Sequence, residues 1–130
     1  MPWKNGLGTT VEILRENGAT DASFNWRLSM ADVNTDGPFS NFRGYDRTLL
    51  LLQGQGITLS HSSGHIDLLD KPLQAAEFRG EAETVATLLD GPIVDFNVMT
   101  LRELCTSIVE TSDDTFQSIC LLYTSDAADE

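Results

Sequence analysis

Basic residues are scarce in this chain. Eight lysines and arginines stand against twenty aspartates and glutamates in 130 residues, which gives a formal net charge of −12. Proteins that bind nucleic acid present a basic face that replaces the counterions of phosphate, and anionic membranes attract basic segments. The charge balance therefore argues against nucleic acid and membrane surfaces as partners.

Cysteines and long apolar runs are also scarce. The two cysteines, Cys105 and Cys120, are too few for a disulfide scaffold and favour a reducing, cytoplasmic setting. No run of eighteen apolar residues offers a membrane span, and residues 1–10 contain no apolar secretion signal. The apolar content of 41% is enough for the core of one domain.

The last eleven residues, CLLYTSDAADE, lack the alternation of the preceding chain. All eleven match a translation of the transposase adapter used in shotgun sequencing libraries, and such segments are set aside before the fold is considered. We therefore expect residues 1–119 to be a partial domain and residues 120–130 not to be native.

The rest of the chain consists of short strand-like runs separated by turns, which predicts an all-β sandwich or barrel. Residues 47–52 include four consecutive leucines, a run typical of a strand buried on both faces. Residues 57–60 and 66–69 flank Ser62-Ser63-Gly64 and predict a hairpin. In residues 24–30 the alternation predicts Phe24, Trp26, Leu28 and Met30 on one face, facing the core. Residues 101–110 are ambiguous between helix and strand.

Motifs for catalysis or metal binding are absent. His61 and His65 have a spacing that would share a helix face, but they flank a turn, so we interpret them as an exposed pair and predict no metal site. Cys105 has no partner that the sequence can place and is best interpreted as a small buried residue. No serine-nucleophile motif occurs, and no acidic pair has a catalytic arrangement. The sequence therefore predicts neither catalytic residues nor cofactors.

Several polar residues instead favour recognition of an anion. The opening MPWKNGLGTT does not fit a phosphate-binding loop, because its lysine precedes its glycines and a strand follows. It is either a simple turn or the polar rim of a pocket. Arg27 is on the polar face of its strand, which is either solvated or directed into a cavity where a planar guanidinium suits a carboxylate. Arg47 needs a partner because its strand is predicted to be buried, and Asn97 alternates with apolar neighbours.

The chain resembles the HutD/Ves family from residue 2 to about residue 102. The stretches that carry the resemblance are PWKNG at 2–6, GTT at 8–10, WRLS at 26–29, ADV at 31–33, GPFS at 37–40, DRTL at 46–49, GP at 91–92 and DFNVM at 95–99. The resemblance implies a cupin-type double-stranded β-helix, a jelly roll that is often a bicupin, present here in incomplete form. It also implies a cytoplasmic bacterial protein.

The same resemblance implies a function. Members associated with histidine-utilisation genes look like non-catalytic binders of a small carboxylate, such as urocanate or a formylated amino acid, and Ves members are linked to temperature stress. The alternative is a metal-independent cupin-type enzyme acting on a small acid. Self-association into a homo-oligomer is left open. The predicted ligand-binding residues are Trp3, Lys4, Asn5, Thr9, Arg27, Arg47 and Asn97.

Overall fold

The computed structural model describes residues 2, 8–18, 23–113 and 117–125, and these residues form β-strands without any helix. The strands are β1 (Gly8–Asn17), β2 (Phe24–Val33), β3 (Gly37–Pro38), β4 (Tyr45–Gln53), β5 (Ile57–His61), β6 (Ile66–Leu69), β7 (Ala75–Arg79), β8 (Thr84–Leu88), β9 (Ile93–Leu101), β10 (Cys105–Asp113) and β11 (Gln117–Ser125). Within these ranges nothing forms a helix long and apolar enough to cross a membrane. The predicted all-β class is confirmed.

The strands form two larger antiparallel sheets and a hairpin. The first sheet has the order β1-β2-β9-β4-β7, the second has the order β3-β8-β5-β6, and β10 pairs with β11. Because β9 lies between β2 and β4, residues that are far apart in the sequence become neighbours in the first sheet. Residues 101–110, which the sequence left ambiguous between helix and strand, contain the start of strand β10.

The core lies between the two larger sheets. Val33, Leu49, Leu51, Ala76 and Ile93 of the first sheet pack with Ile57, Leu59, Leu69 and Ala86 of the second. Fully burying a side chain such as leucine contributes about 1.5–3 kcal/mol. Leu50, between two core residues of β4, is also fully buried, which confirms that this strand is covered on both faces.

The face of β2 that turns toward the core differs from the prediction. Ser29, Ala31 and Val33 share one face of this strand and are buried, whereas Met30 on the other face is 38% exposed. Phe24 is buried as expected, but Trp26 and Leu28 are only half-buried. Alternation shows which residues share a face but not which face meets the second sheet. Ala31 and Val33 pair with core positions of β9, so the face of Arg27 is the inner one.

The predicted hairpin is confirmed, with one correction. Strands β5 and β6 pair around the turn, and Gly64 has φ 95°, a conformation that favours glycine. His61, predicted to be an exposed turn residue, is buried at the end of β5, and only His65 is exposed. The imidazole of His61 turns inward because Thr84 and Asp67 supply hydrogen-bonding partners for its two nitrogens, each at 2.8 Å.

Candidate functional site

Two arginines lie in one row across the inner face of the first sheet. Arg27 on β2 is opposite Met99 on β9, Met99 is opposite Arg47 on β4, and Arg47 is opposite Phe78 on β7. Directly opposite residues of paired strands share a face. We call this set (Arg27, Met99, Arg47 and Phe78) the arginine row. It continues the apolar inner face and places two cations where the core ends.

Arg47 is the more deeply placed cation, with only 7% of its surface exposed. Its guanidinium donates from Nη1 to the Ser40 carbonyl at 3.3 Å and from Nη2 to Asn97 Oδ1 at 3.4 Å. Its Nε is buried and has no hydrogen-bond acceptor in the described part of the chain. A guanidinium has five N–H donors, and the described residues supply acceptors for two of those of Arg47.

Three phenylalanine rings surround this guanidinium. The ring centroids of Phe78, Phe42 and Phe39 lie 5.0, 5.3 and 5.5 Å from Cζ of Arg47, within the range of cation–π attraction. Gly80 permits the approach of Phe42, because a Cβ at Gly80 would collide with the Phe42 carbonyl. Burial lowers the pKa of Arg47 to about 10, with Asp95 opposing the shift and Arg27 adding to it. The guanidinium therefore stays charged at neutral pH.

Asp95 and Asn97 extend the site along β9. The Asn97 amide bridges two charges, because its oxygen accepts from Arg47 and its nitrogen donates to Asp95 Oδ1. Asp95 is only 1% exposed, and this burial raises its pKa to about 7, against the opposing effect of Arg47. Asp95 is not one of the predicted ligand-binding residues. The alternation of Asp95, Asn97 and Met99 was the available signal, since it places all three on one face.

Arg27 lies at the rim of the site. Its Nε is 3.0 Å from Glu12 Oε1, which is close enough for an ion pair. The Nε–H bond does not point at this oxygen, so the contact is not a hydrogen bond. Its Cζ is 5.9 Å from the centroid of the Phe24 ring, and its side chain is 15% exposed. Arg27 can therefore meet a ligand that enters from solvent, while Arg47 can hold it deeper.

The structure brings together three of the predicted ligand-binding residues: Arg27, Arg47 and Asn97. It separates Thr9 from them, because Thr9 pairs with Asp32, which alternates with the inner residues of β2, and its hydroxyl donates to Asp32 Oδ2 at 3.3 Å. The remaining predicted ligand-binding residues, Trp3, Lys4 and Asn5, lie outside the described residues.

A groove of about 370 Å³ opens near the end of the arginine row. It is lined by Asp46, Arg47, Thr48, Glu77, Phe78, Arg79 and Thr100. Asp46, Thr48 and Thr100 alternate with residues of the inner face, so most of the groove lies on the outer face of the sheet. The guanidinium of Arg47 contacts Asn97 on the inner face, and we place the candidate site there.

The described residues contain no group of three or more histidine, cysteine, aspartate or glutamate side chains arranged to hold a metal ion. The nearest arrangement is His61, His65 and Asp67, in which the carboxylate contacts both imidazoles, at 2.8 and 3.0 Å. These contacts explain the buried histidine as part of a hydrogen-bonded hairpin. The absence of metal and cofactor stays a prediction.

Comparisons with known proteins show which sequences this chain is similar to. The family model described as HutD matches residues 1–127. A 21.2 kDa protein of the hutC 3′ region from Pseudomonas putida is 44% identical over 99 residues, which are 76% of this chain and 52% of that protein. Protein Ves from Escherichia fergusonii is 39% identical over 115 residues, which are 88% of this chain and 59% of that protein. The chain thus spans little more than half the length of these relatives.

Solved structures agree with the family and the fold. HutD from Pseudomonas fluorescens SBW25, solved in a formate condition, superposes with a TM-score of 0.81 at 41% identity, covering 87% of this chain and 61% of that one. A cupin domain of a transcriptional regulator from Enterobacter cloacae superposes with a TM-score of 0.56 at 10% identity, covering 72% of this chain and 96% of that domain. The second likeness concerns the fold alone and confirms the cupin-like architecture.

Proposed function

The chain belongs to the HutD family, and from this premise we propose that it is a non-catalytic binder of small carboxylates. The ligand lies between the sheets at the arginine row, with Arg47 and Asn97 as the inner contacts and Arg27 at the rim. The protein acts in the cytoplasm, where occupancy of this site regulates histidine utilisation or a stress response. Urocanate and formylated amino acids are the ligand classes that the family resemblance implies.

The observation that carries the proposal is the incompletely paired guanidinium of Arg47. A buried polar group without a hydrogen-bond partner costs free energy, and the Arg47 Nε is such a group among the described residues. A carboxylate can accept two parallel hydrogen bonds from one guanidinium. A small acid at this position therefore supplies the acceptors that the described chain does not.

The aromatic rings favour a small and partly planar ligand. Phe39, Phe42 and Phe78 leave the guanidinium surrounded by apolar surface, where a charge-assisted hydrogen bond is stronger than in water. Formate is the smallest carboxylate and the condition under which HutD from Pseudomonas fluorescens was solved. It is therefore the first probe, followed by urocanate and N-formylglutamate.

An enzyme acting on a small acid is the alternative. Its basis is Asp95, whose pKa of about 7 suits a general acid or base at neutral pH. Binding without turnover is favoured because Asp95 is almost fully buried and reaches Arg47 through the Asn97 amide. An acid–base group must come within hydrogen-bonding reach of the reacting atom.

The test is calorimetric titration of the 130-residue chain with the three probes. We expect binding by wild type and a loss of affinity of about tenfold to a hundredfold in Arg47→Gln, because a hydrogen bond to a charged group is worth about 1.5–3 kcal/mol. Arg47→Lys keeps the charge but loses the fork and should be intermediate. Arg27→Gln tests the cation at the rim.

Arg79→Gln is the matched control. Arg79 is exposed and is opposite Asp46 on the outer face, and this variant changes the net charge by the same amount. Circular dichroism confirms that each variant is folded. No binding by wild type to any probe, or equal losses in Arg27→Gln, Arg47→Gln and Arg79→Gln, would refute the site. Turnover of a probe would establish the enzyme instead.

A further inference from the structure

The buried carboxylate of Asp95 is not used by the proposed binding contacts. It lies on the inner face of β9, opposite Ala31 on β2 and Leu51 on β4. Among the described residues its hydrogen-bond donor is the Asn97 amide nitrogen. A carboxylate and a protonated carboxylic acid can both accept that bond. The structure around Asp95 therefore accommodates the charged and the neutral form.

The groups that act on Asp95 come from three strands. Burial and the charge of Asp32 on β2 favour the neutral form of Asp95. The charge of Arg47 on β4 and the hydrogen bond from Asn97 on β9 favour the ionised form. Arg27 is paired with Glu12 at the rim, so its charge is compensated separately.

The second sheet contributes the histidine group of the β5–β6 hairpin. His61 packs against Phe78 with ring centroids 4.9 Å apart, and both of its nitrogens are engaged by Thr84 and Asp67. Phe78 in turn lies on Arg47. The second sheet thus contacts the arginine row through the ring of Phe78. The acidic group that compensates the charge of Arg47 is Asp95, on the first sheet.

We propose that binding of a carboxylate at Arg47 is coupled to uptake of one proton by Asp95. This inference rests on the proposed function, since it concerns the same site. The ligand carboxylate replaces Asp95 as the negative charge that compensates Arg47, and a solvent proton converts the Asp95 carboxylate to a carboxylic acid. The net charge of the occupied site then equals that of the empty site.

The physical reason is that two anions compete for one buried cation. An ionised Asp95 with a ligand carboxylate nearby leaves two negative charges against the single positive charge of Arg47. A like charge in a poorly solvated site disfavours ionisation. Because binding equilibria at two sites are reciprocal, a ligand that promotes protonation of Asp95 binds more tightly when Asp95 is already protonated.

The experiment is calorimetric titration with formate at pH 6, 7 and 8, repeated in two buffers of different ionisation enthalpy. Formate stays ionised throughout because carboxylic acids titrate near pH 4. We expect wild type to take up about half a proton per site at pH 7 and to bind about tenfold more weakly at pH 8 than at pH 6. Asp95→Asn should take up none and show no pH dependence.

The matched control is Asp90→Asn, which neutralises an exposed acid outside the arginine row and should retain the proton uptake of wild type. Binding of formate without proton uptake by wild type would overturn the coupling and leave the proposed function standing. Uptake that persists in Asp95→Asn would assign the proton to another group and overturn the role of Asp95. If Asp95→Asn does not fold, Asp95→Ser and the proton count for wild type decide the question. No binding by wild type at any pH would overturn both proposals.

Discussion

Replacing Asp95 by asparagine should remove one contribution to the pH dependence of the free energy of unfolding, even without ligand. The folded-state pKa of Asp95 is raised from 3.8 to about 7, mainly by burial. The folded protein therefore binds more protons at this site than the unfolded chain between these pH values. By linkage, stability from Asp95 is present at low pH and is lost as the pH rises from about 4 to about 7.

The magnitude follows from the shift. One pKa unit corresponds to about 1.36 kcal/mol, so a shift from 3.8 to about 7 corresponds to about 4 kcal/mol. This is a large part of the 5–15 kcal/mol by which typical domains are stable. In Asp95→Asn the amide still accepts the bond from Asn97 but does not ionise. The free energy of unfolding of this variant, minus that of wild type, should therefore rise by about 4 kcal/mol between pH 4 and pH 8.

The assay is urea unfolding of both proteins, followed by tryptophan fluorescence, at intervals across this range. The slope of the difference with pH is the test, because the pairing of ionised Asp95 with Arg47 is already contained in the folded-state pKa. Other differences between the protonated acid and the amide add the same offset at each pH. Asp90→Asn is the control, since Asp90 is exposed and surface substitutions change stability by less than about 0.5 kcal/mol. A stability difference between Asp95→Asn and wild type that does not change with pH would refute the reasoning.

Two further predictions concern the second sheet and the edge of the first. His61→Ala should destabilise the fold by about 2–4 kcal/mol in chemical unfolding, because it opens a cavity and leaves buried polar partners unpaired. His65→Ala, at an exposed position, should have little effect. Val11 and Leu14 are 64% and 55% exposed on edge strand β1, so wild type should self-associate with increasing concentration in sedimentation experiments. Val11→Lys should reduce this association more than Val85→Lys on β8, which lies between β3 and β5, and equal effects would contradict a role for β1.

Local alternation predicts most of the fold. The run at residues 47–52 indicated a buried strand, and Leu49, Leu50 and Leu51 are indeed enclosed on both faces. Strand β7 was missed because Ala75–Arg79 lacks a regular pattern of β-branched residues, and β3 is only two residues long. The inner face of β2 was assigned wrongly because the inward side carries Arg27 and Ser29, so the more apolar face of residues 24–30 is not the one that meets the second sheet.

The candidate site could be predicted only in part. Arg47 was identified because a charged residue in a buried strand needs a partner. Its surroundings depend on contacts between residues far apart in sequence, such as the bond to Asn97 fifty positions away and rings from two separate segments. The raised pKa of Asp95 is a consequence of burial, which the field of Arg47 partly opposes, and neither effect exists until the sheets have packed.

The position of Asp95 relative to Arg47 explains how the fold can be stable with a buried cation while the site is unoccupied, and how the same cation can still bind a ligand. Removing the partner of a buried charge costs about 3–5 kcal/mol, so Arg47 without any anion would destabilise the fold. A carboxylate in direct bidentate contact would occupy the guanidinium and exclude other acids. Asp95 instead acts from beyond the Asn97 amide, which lets it compensate the charge while leaving the Arg47 Nε without an acceptor in the described chain. An indirect partner of this kind favours a site whose ligand can be exchanged.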